Sequence, residues 1–402
     1  MTDTSPTAET LPAEVRTRLH QTNPGSVLVD TAALDTVRQR FDDQQASTLA
    51  RYLSSAQSPN TLRAYRADWL TFCRWCLAEG RQSLPADPVD VAVFLAAGAH
   101  AERDGVWALS PATLERRAAA IAAVHGAHGL AAPTRSDVVR MTLRGIRRQR
   151  RSQPSRKRPV VVDTLEALLD CRPAPGFPGG VTRRRDAWLL LAGFAGALRR
   201  SELAGVTCDD ITVGAEPATG DPLLVLHLAA TKTDPQARRG QQVALPRGRQ
   251  VRTCPVCAYA AWVEVLEAHH DGGSTAVRTL LDTEARTRSQ HRCVGFSGTR
   301  LADGSGQPVL RGVNRHGHIA DRALTGRSIA RIVQRYAASA GEDPAQFGGH
   351  SLRAGFATQA ALSGAADREI MRQGRWSNAR TVHDYIRTAH PLDDNAVTRL
   401  GL

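Results

Sequence analysis

The chain has 402 residues, 52 basic and 39 acidic, for a formal net charge of +13, and 42% of its residues are hydrophobic. That length suits two domains, and the ordinary apolar share excludes a disordered acidic chain. The longest mostly apolar run, 187–198, falls short of the roughly 20 residues of a membrane span, and the first residues lack a basic start and an apolar stretch, so no membrane segment or secretion signal is expected.

Residues 1–45 read as an N-terminal tail, partly disordered, with 4 basic and 7 acidic residues and a helical hint at Leu34, Val37 and Phe41. Three helix starts then share one grammar: Ser58-Pro59, Asp87-Pro88 and Ser110-Pro111 each place a capping side chain before a proline at the first helical position. After the first, Leu62, Tyr65, Trp69, Phe72, Cys73 and Cys76 recur at helical spacing, and Gly80 supplies the stop. Further helices are predicted at 88–99, 111–128 and 136–148, so 46–148 is expected to be an all-helical domain.

The next stretch is the most charged of the protein. Between Arg135 and Arg158 stand ten basic residues and one acidic residue, Asp137, which is +9 of the total +13. Its later part, 149–160, is poor in apolar residues and reads as a basic linker. Such density points to nucleic-acid phosphates, with Arg144, Arg147, Arg148, Arg150, Arg151, Arg156, Lys157 and Arg158 as candidate contacts.

Residues 161–402 are expected to form the second domain. Helical periodicity marks 163–171, 184–198, 255–268, 326–340 and 350–362. Short strand patterns at 223–228 and 242–246 flank Lys232 and predict a hairpin, and one more strand is expected near 293–297. The last residues, 391–402, outline a short amphipathic helix.

Four sites in this domain carry chemistry. Arg199 and Glu202 follow an apolar helix, Lys232 lies in the hairpin loop, His350 and Arg353 share i, i+3 spacing, and Trp376 precedes Tyr385 by nine positions. Of the 52 basic residues only Lys157 and Lys232 are lysines, so a lysine at 232 stands out.

In this order the residues resemble the tyrosine recombinase or phage integrase family. That family's catalytic domain reads G-L-R-x-S-E-L, a hairpin lysine, H-x-L-R, then G-H or G-W and a tyrosine nine residues on. This chain supplies Ala197-Leu198-Arg199-Arg200-Ser201-Glu202-Leu203, Lys232, His350-Ser351-Leu352-Arg353, Gly374-Arg375-Trp376 and Tyr385. It departs in having Ala197 where the family usually has Gly, an Arg375 between the usual Gly and the His/Trp position, and Trp376, the less common alternative. The helical 46–148 resembles the family's core-binding domain. The resemblance implies a mainly α fold with a small antiparallel β-sheet, an all-helical core-binding domain being followed by an α+β catalytic domain.

The resemblance also implies a site-specific recombinase that cleaves and rejoins duplex DNA through a 3′-phosphotyrosyl intermediate, with no cofactor, metal or ATP. Arg199 and Arg353 would clamp the scissile phosphate, since attack on a phosphodiester builds charge on its non-bridging oxygens. Tyr385 would be the nucleophile. Lys232 would protonate the 5′ oxygen, a role closed to arginine, which keeps its proton. His350 would take the tyrosine proton or bridge to the phosphate, Trp376 would pack against or donate to it, and Glu202 would orient His350 or Arg199. The implied partner is double-stranded DNA with an inverted-repeat recombination site, bound by a homo-tetramer, with the C-terminal helix packing on a neighbouring protomer. The expected location is cytoplasmic, at the nucleoid when bound. A type IB topoisomerase-like relaxing enzyme and a non-catalytic DNA-binding regulator are the alternatives.

The seven cysteines are odd in number and scattered, which fits a reducing compartment. Cys73 and Cys76 sit at i, i+3 within a helical pattern and read as core packing. Cys254 and Cys257 would need further ligands to hold zinc; His269, His270 or Cys293 could complete a set, but no regular second half follows, and no metal is assigned.

Overall fold

The computed structural model describes residues 42–55, 58–100, 102–103, 106–107, 109–150, 157–228, 240–284, 290–386, 397 and 400. The chain divides into two compact units, Met1–Pro154 and Ser155–Leu402. Both are mainly helical with small antiparallel sheets; the first, expected to be all-helical, also carries one short antiparallel strand pair. Among the described residues no helix is long and apolar enough to cross a membrane.

The first unit contains α1 (Asp43–Ser55), α2 (Pro59–Ala78), α3 (Pro88–His100), the short strands β1 (Glu102–Arg103) and β2 (Val106–Trp107), α4 (Pro111–Ala127) and α5 (Asp137–Arg150). Its helices start where capping chemistry permits. Ser58 Oγ accepts the Thr61 N–H at 3.1 Å, Ser110 Oγ that of Thr113 at 3.2 Å, and Asp87 Oδ1 that of Val89 at 2.7 Å. Each following proline has no N–H to leave unsatisfied. Past the end of α2 the chain turns through Gly80 at φ +63°. Phe72 and Cys76 from α2, Val91, Phe94 and Leu95 from α3, Leu114 and Ile121 from α4, and Val139 from α5 form the core.

The second unit begins with α6 (Val162–Asp170), α7 (Gly179–Ala195) and α8 (Arg200–Gly205). Strands β3 (Ile211–Ala215), β4 (Pro222–Leu228) and β5 (Gln241–Pro246) form one antiparallel sheet in that order. Leu224 pairs with Leu245 and Leu226 with Val243; alternation buries these four on one face. Then come α9 (Pro255–Glu284), β6 (Arg311–Val313) paired with β7 (Ile319–Ala323), α10 (Gly326–Ser339), α11 (Ser351–Leu362), α12 (Asp367–Gly374) and α13 (Ala379–Tyr385). Helix α7 is buried almost all round from Arg185 to Gly193, as suits a helix at the centre of a core. Trp188, Leu189 and Leu190 of α7 lie in one cluster with Tyr259, Trp262 and Val263 of α9.

A buried charge is also settled there. Asp186 is 0% exposed and accepts from Arg185 Nη2 at 2.7 Å, Arg335 Nη2 at 2.9 Å and the Tyr336 hydroxyl at 2.8 Å. A carboxylate removed from water must gain such partners.

The structure departs from the sequence expectations in several places. The helix expected over 255–268 is followed, across a kink with non-helical φ/ψ at Gly272 and Gly273, by a second helical stretch that ends at Glu284. The segment expected as a strand near 293–297 is a turn: Gly295 takes φ +77°, and Phe296 N–H donates to Cys293 O at 3.2 Å. Strands β3, β6 and β7 carry too weak an alternation to be read beforehand. The tail through residue 41 and nearly all of 391–402 lie outside the described residues.

Candidate active site

The site is built around one tight turn and one buried carboxylate. After α7 the chain turns at Gly196 and Ala197, and Ala197 adopts φ +45°, a left-handed conformation uncommon for a residue with a Cβ. Arg199 then caps α8. Its N–H donates to Glu202 Oε2 at 2.8 Å while its Nη1 reaches Glu202 Oε1 at 2.5 Å, so Glu202 fixes both the backbone and the guanidinium. The three-residue spacing makes this possible, because residues i and i+3 share a helix face.

A second guanidinium arrives from far along the chain. Arg375 caps α12 in the left-handed region, φ +57°. Its side chain turns inward, where Nη2 meets Glu202 Oε2 at 2.7 Å and Nη1 donates to the carbonyls of Gly196 at 3.1 Å and Gln373 at 3.0 Å. Burial opposes the Glu202 charge, but Arg375, then the Arg199 N–H and guanidinium, outweigh it and hold this carboxyl below the usual range. By its position between two motif residues Arg375 carries no assigned part in the sequence motifs; its role comes from the fold.

Arg353 is the third. It sits in the first turn of α11, 1% exposed, and its Nη1 donates to Ala197 O. No carboxylate pairs with it, and its Nη2 is buried without a hydrogen-bond partner among the described residues. Burial, then the charges of Arg199 and Arg375, push its pKa down to about 9, with Glu202 working the other way. It is still a cation at neutral pH. Two guanidiniums thus pair with one carboxylate and a third lies within reach of its charge, an excess of positive charge that an anion would complete.

Two aromatic rings extend the cluster. The Arg353 guanidinium lies over the Trp376 indole, 4.0 Å from the ring centroid, and the Tyr385 ring is 5.2 Å from the indole. The indole covers Gly374 so closely that a Cβ there would fall 1.8 Å from it. Tyr385 ends α13, half-buried, with its carbonyl accepting from Thr358 Oγ1 of α11 at 3.2 Å. Gln373 Nε2 ties α12 to the carbonyls of Ala195 at 2.8 Å and Ala244 at 2.9 Å.

The structure therefore brings together Arg199, Glu202, Arg353, Trp376 and Tyr385. His350 is the exposed N-cap residue of α11, three positions before the buried Arg353. Glu202 pairs with Arg199 and Arg375. Lys232 lies between the paired strands β4 and β5, outside the described residues.

The basic strip divides by use. Arg144, Arg147 and Arg148 are exposed on α5, Arg147 sharing Glu115 at 3.3 Å. Arg150 donates to the carbonyls of Leu109 and Ala99 and so serves the first unit's own structure. In the second unit Lys157 Nζ donates to Ala345 O at 2.6 Å, and Arg158 pairs with Glu342 and lies over the Phe347 ring. Arg151 and Arg156 lie outside the described residues.

Comparison with known proteins gives this arrangement a context. No family model matches the chain. It is 30% identical over 353 residues, 87% of its length, to an integrase/recombinase XerD homolog of Selenomonas ruminantium, of which it covers 88%. It is 23% identical over 332 residues to the Cre recombinase of Escherichia phage P1, covering 79% of this chain and 82% of that one. Among solved structures, the XerH site-specific recombinase bound to its difH substrate aligns with a TM-score of 0.47 and 14% identity, over 87% of this chain and 81% of the other.

Proposed function

This chain belongs to the tyrosine recombinase family, site-specific enzymes of DNA strand transfer, and on that footing we propose which of its residues perform the reaction. The Tyr385 hydroxyl oxygen attacks the scissile phosphorus. A bond from that oxygen to phosphorus forms, the bond to the 5′ oxygen breaks, and the 3′ phosphate is left joined to the enzyme. His350 takes the phenolic proton and Lys232 gives one to the departing 5′ oxygen. Arg199 and Arg353 hold the non-bridging oxygens as negative charge grows on them, a form of stabilisation worth about a hundredfold or more per donor. The phosphotyrosyl ester keeps the bond energy, so a 5′ hydroxyl of another strand reverses the step without ATP.

The single observation that carries this reading is the buried Nη2 of Arg353, without a hydrogen-bond partner among the described residues and close enough to feel the charge of Arg199, with the Trp376 ring between it and Tyr385. Glu202 and Arg375 act through Arg199 and the 196–197 turn and are positioning residues, as is Trp376, which packs on the clamp. The relatives favour neither a topoisomerase-like enzyme nor a non-catalytic regulator. Exchange between two duplexes requires four strand cuts and one tyrosine for each, which supports a tetramer acting on two paired sites. The exposed arginines of α5 are proposed to contact phosphates.

The test is a suicide substrate nicked beside the cleavage point, incubated with the full chain. Covalent protein–DNA is expected from the native protein and none from Tyr385→Phe; equal trapping by both removes Tyr385 as nucleophile.

A further inference from the structure

Away from the residues proposed for strand transfer, the second unit gathers Cys254, Cys257, His291 and Cys293. One sulfur or nitrogen atom from each lies within 4.8 Å of all the others. The three thiols are buried and free of disulfides. Cys257 Sγ stands 3.2 Å, and Cys293 Sγ 3.6 Å, from His291 Nδ1. Tetrahedral zinc, with sulfur at about 2.3 Å and imidazole nitrogen at about 2.0 Å, separates its ligand atoms by roughly 3.5 to 3.8 Å. The cluster has that scale.

The surroundings are arranged for a metal ion. His291 Nε2 lies 3.4 Å from the carbonyl oxygen of Arg249. A carbonyl only accepts, so Nε2 carries the hydrogen and the bare lone pair of Nδ1 faces the sulfurs, the orientation a metal-bound histidine takes. The backbone N–H groups of Gly248 and Cys257 donate to Cys254 Sγ at 3.3 Å and 3.4 Å, which suits an electron-rich, metal-bound sulfur. Gly248 allows this approach, because a Cβ there would fall 2.7 Å from Cys254 Cα. Arg292, between the two later ligands, pairs with Glu264 of α9, which also takes Arg184 of α7 at 3.5 Å. The second half of the cluster is thus held against the helix that begins with the first half.

We propose that these four residues form a structural Cys3His zinc site. Four protein ligands close the coordination sphere and leave no position for substrate, so the ion ties chain segments together and takes no part in strand transfer. It joins the start of α9 both to the segment leaving β5 and to the turn at 291–295, spanning a sequence gap that concealed the pattern.

The experiment is elemental analysis of the full chain, expressed with zinc in the medium and purified without chelator or metal-affinity resin. One zinc per chain is expected, released into a chromogenic chelator as a mercurial caps the thiols. Cys293→Ala and His291→Ala should each retain less than half of it, while Cys208→Ala, a buried thiol outside the cluster, should retain all. Should the variants prove insoluble, cobalt loading of the native chain decides: the intense visible absorption of a tetrahedral thiolate site supports the proposal, and a weak octahedral spectrum overturns it. A native chain that carries and takes up no zinc, holds iron instead, or has an intact mass two hydrogens short from a Cys254–Cys257 disulfide also overturns it.

Discussion

The Arg353 guanidinium rests on the Trp376 indole at 4.0 Å from its centroid, with no carboxylate pairing it among the described residues. A desolvated contact of this kind contributes about 2 kcal/mol, some thirtyfold in a rate it supports. Trp376→Ala should therefore slow cleavage of a suicide substrate by roughly that factor, with Trp376→Phe retaining most of the rate. Gly374→Ala, which would drive a methyl into the indole, should resemble Trp376→Ala. Unchanged cleavage in both would mean that the ring does not hold the arginine.

Glu202 anchors two guanidiniums, and its depressed pKa fixes the sign of a pH effect. A carboxyl stabilised as the anion contributes to stability fully above its unfolded pKa, near 4.5, and loses that contribution as pH falls toward its lower folded value. Glu202→Gln should melt well below the native chain at pH 7. The gap between the two should narrow as pH drops below about 4.5; thermal melts from pH 3 to 7 would show it, and a constant gap would exclude the charge as its cause.

Arg375 combines an unfavourable backbone with a favourable side chain. Both Arg375→Ala and Arg375→Gly leave Glu202 short of a buried partner, at a cost of about 3 kcal/mol or more. Glycine relieves the positive φ and alanine does not, so the glycine variant should be the more stable of the two by about 1 kcal/mol. The reverse order in denaturant titrations would contradict the left-handed assignment.

Asp186 holds the buried Arg185 and Tyr336 and ties down the exposed Arg335. Asp186→Ala strands a buried arginine and should cost about 3 to 5 kcal/mol, on the order of 10 °C in melting temperature. Cleavage per folded molecule should change little, because the network lends nothing to the phosphate clamp.

Lys232 is proposed as the acid for the 5′ oxygen. Lys232→Ala should lower cleavage of an ordinary substrate by about a hundredfold or more. A substrate with sulfur in place of that oxygen departs without a proton and should restore most of the rate. Equal losses on both substrates would exclude the acid role.

The helix starts at Ser58, Asp87 and Ser110 were legible in the sequence, since each rests on residues within a turn of one another, whereas the partner of Glu202 stayed open between His350 and Arg199. Strands β3, β6 and β7 were not, because short strands in a helical unit take their place from packing more than from alternation. Nor was the turn at Cys293, where an apolar pair, Val294 and Phe296, mimics a strand across a glycine that bends the chain.

Residue types and local spacing by themselves determined a mainly helical chain with a dense basic strip, and the resemblance of its ordered motifs to the tyrosine recombinases pointed to Arg199, Arg353 and Tyr385. Only the tertiary structure decided that Arg375 reaches Glu202, that Trp376 lies under Arg353, and that His291 completes the cysteine cluster. These contacts join residues 173, 23 and 34 positions apart. The physical reason is range: a helix cap or an i, i+3 pair is built from neighbours along the chain, whereas a buried charge finds its partner only after the backbone has brought distant segments together.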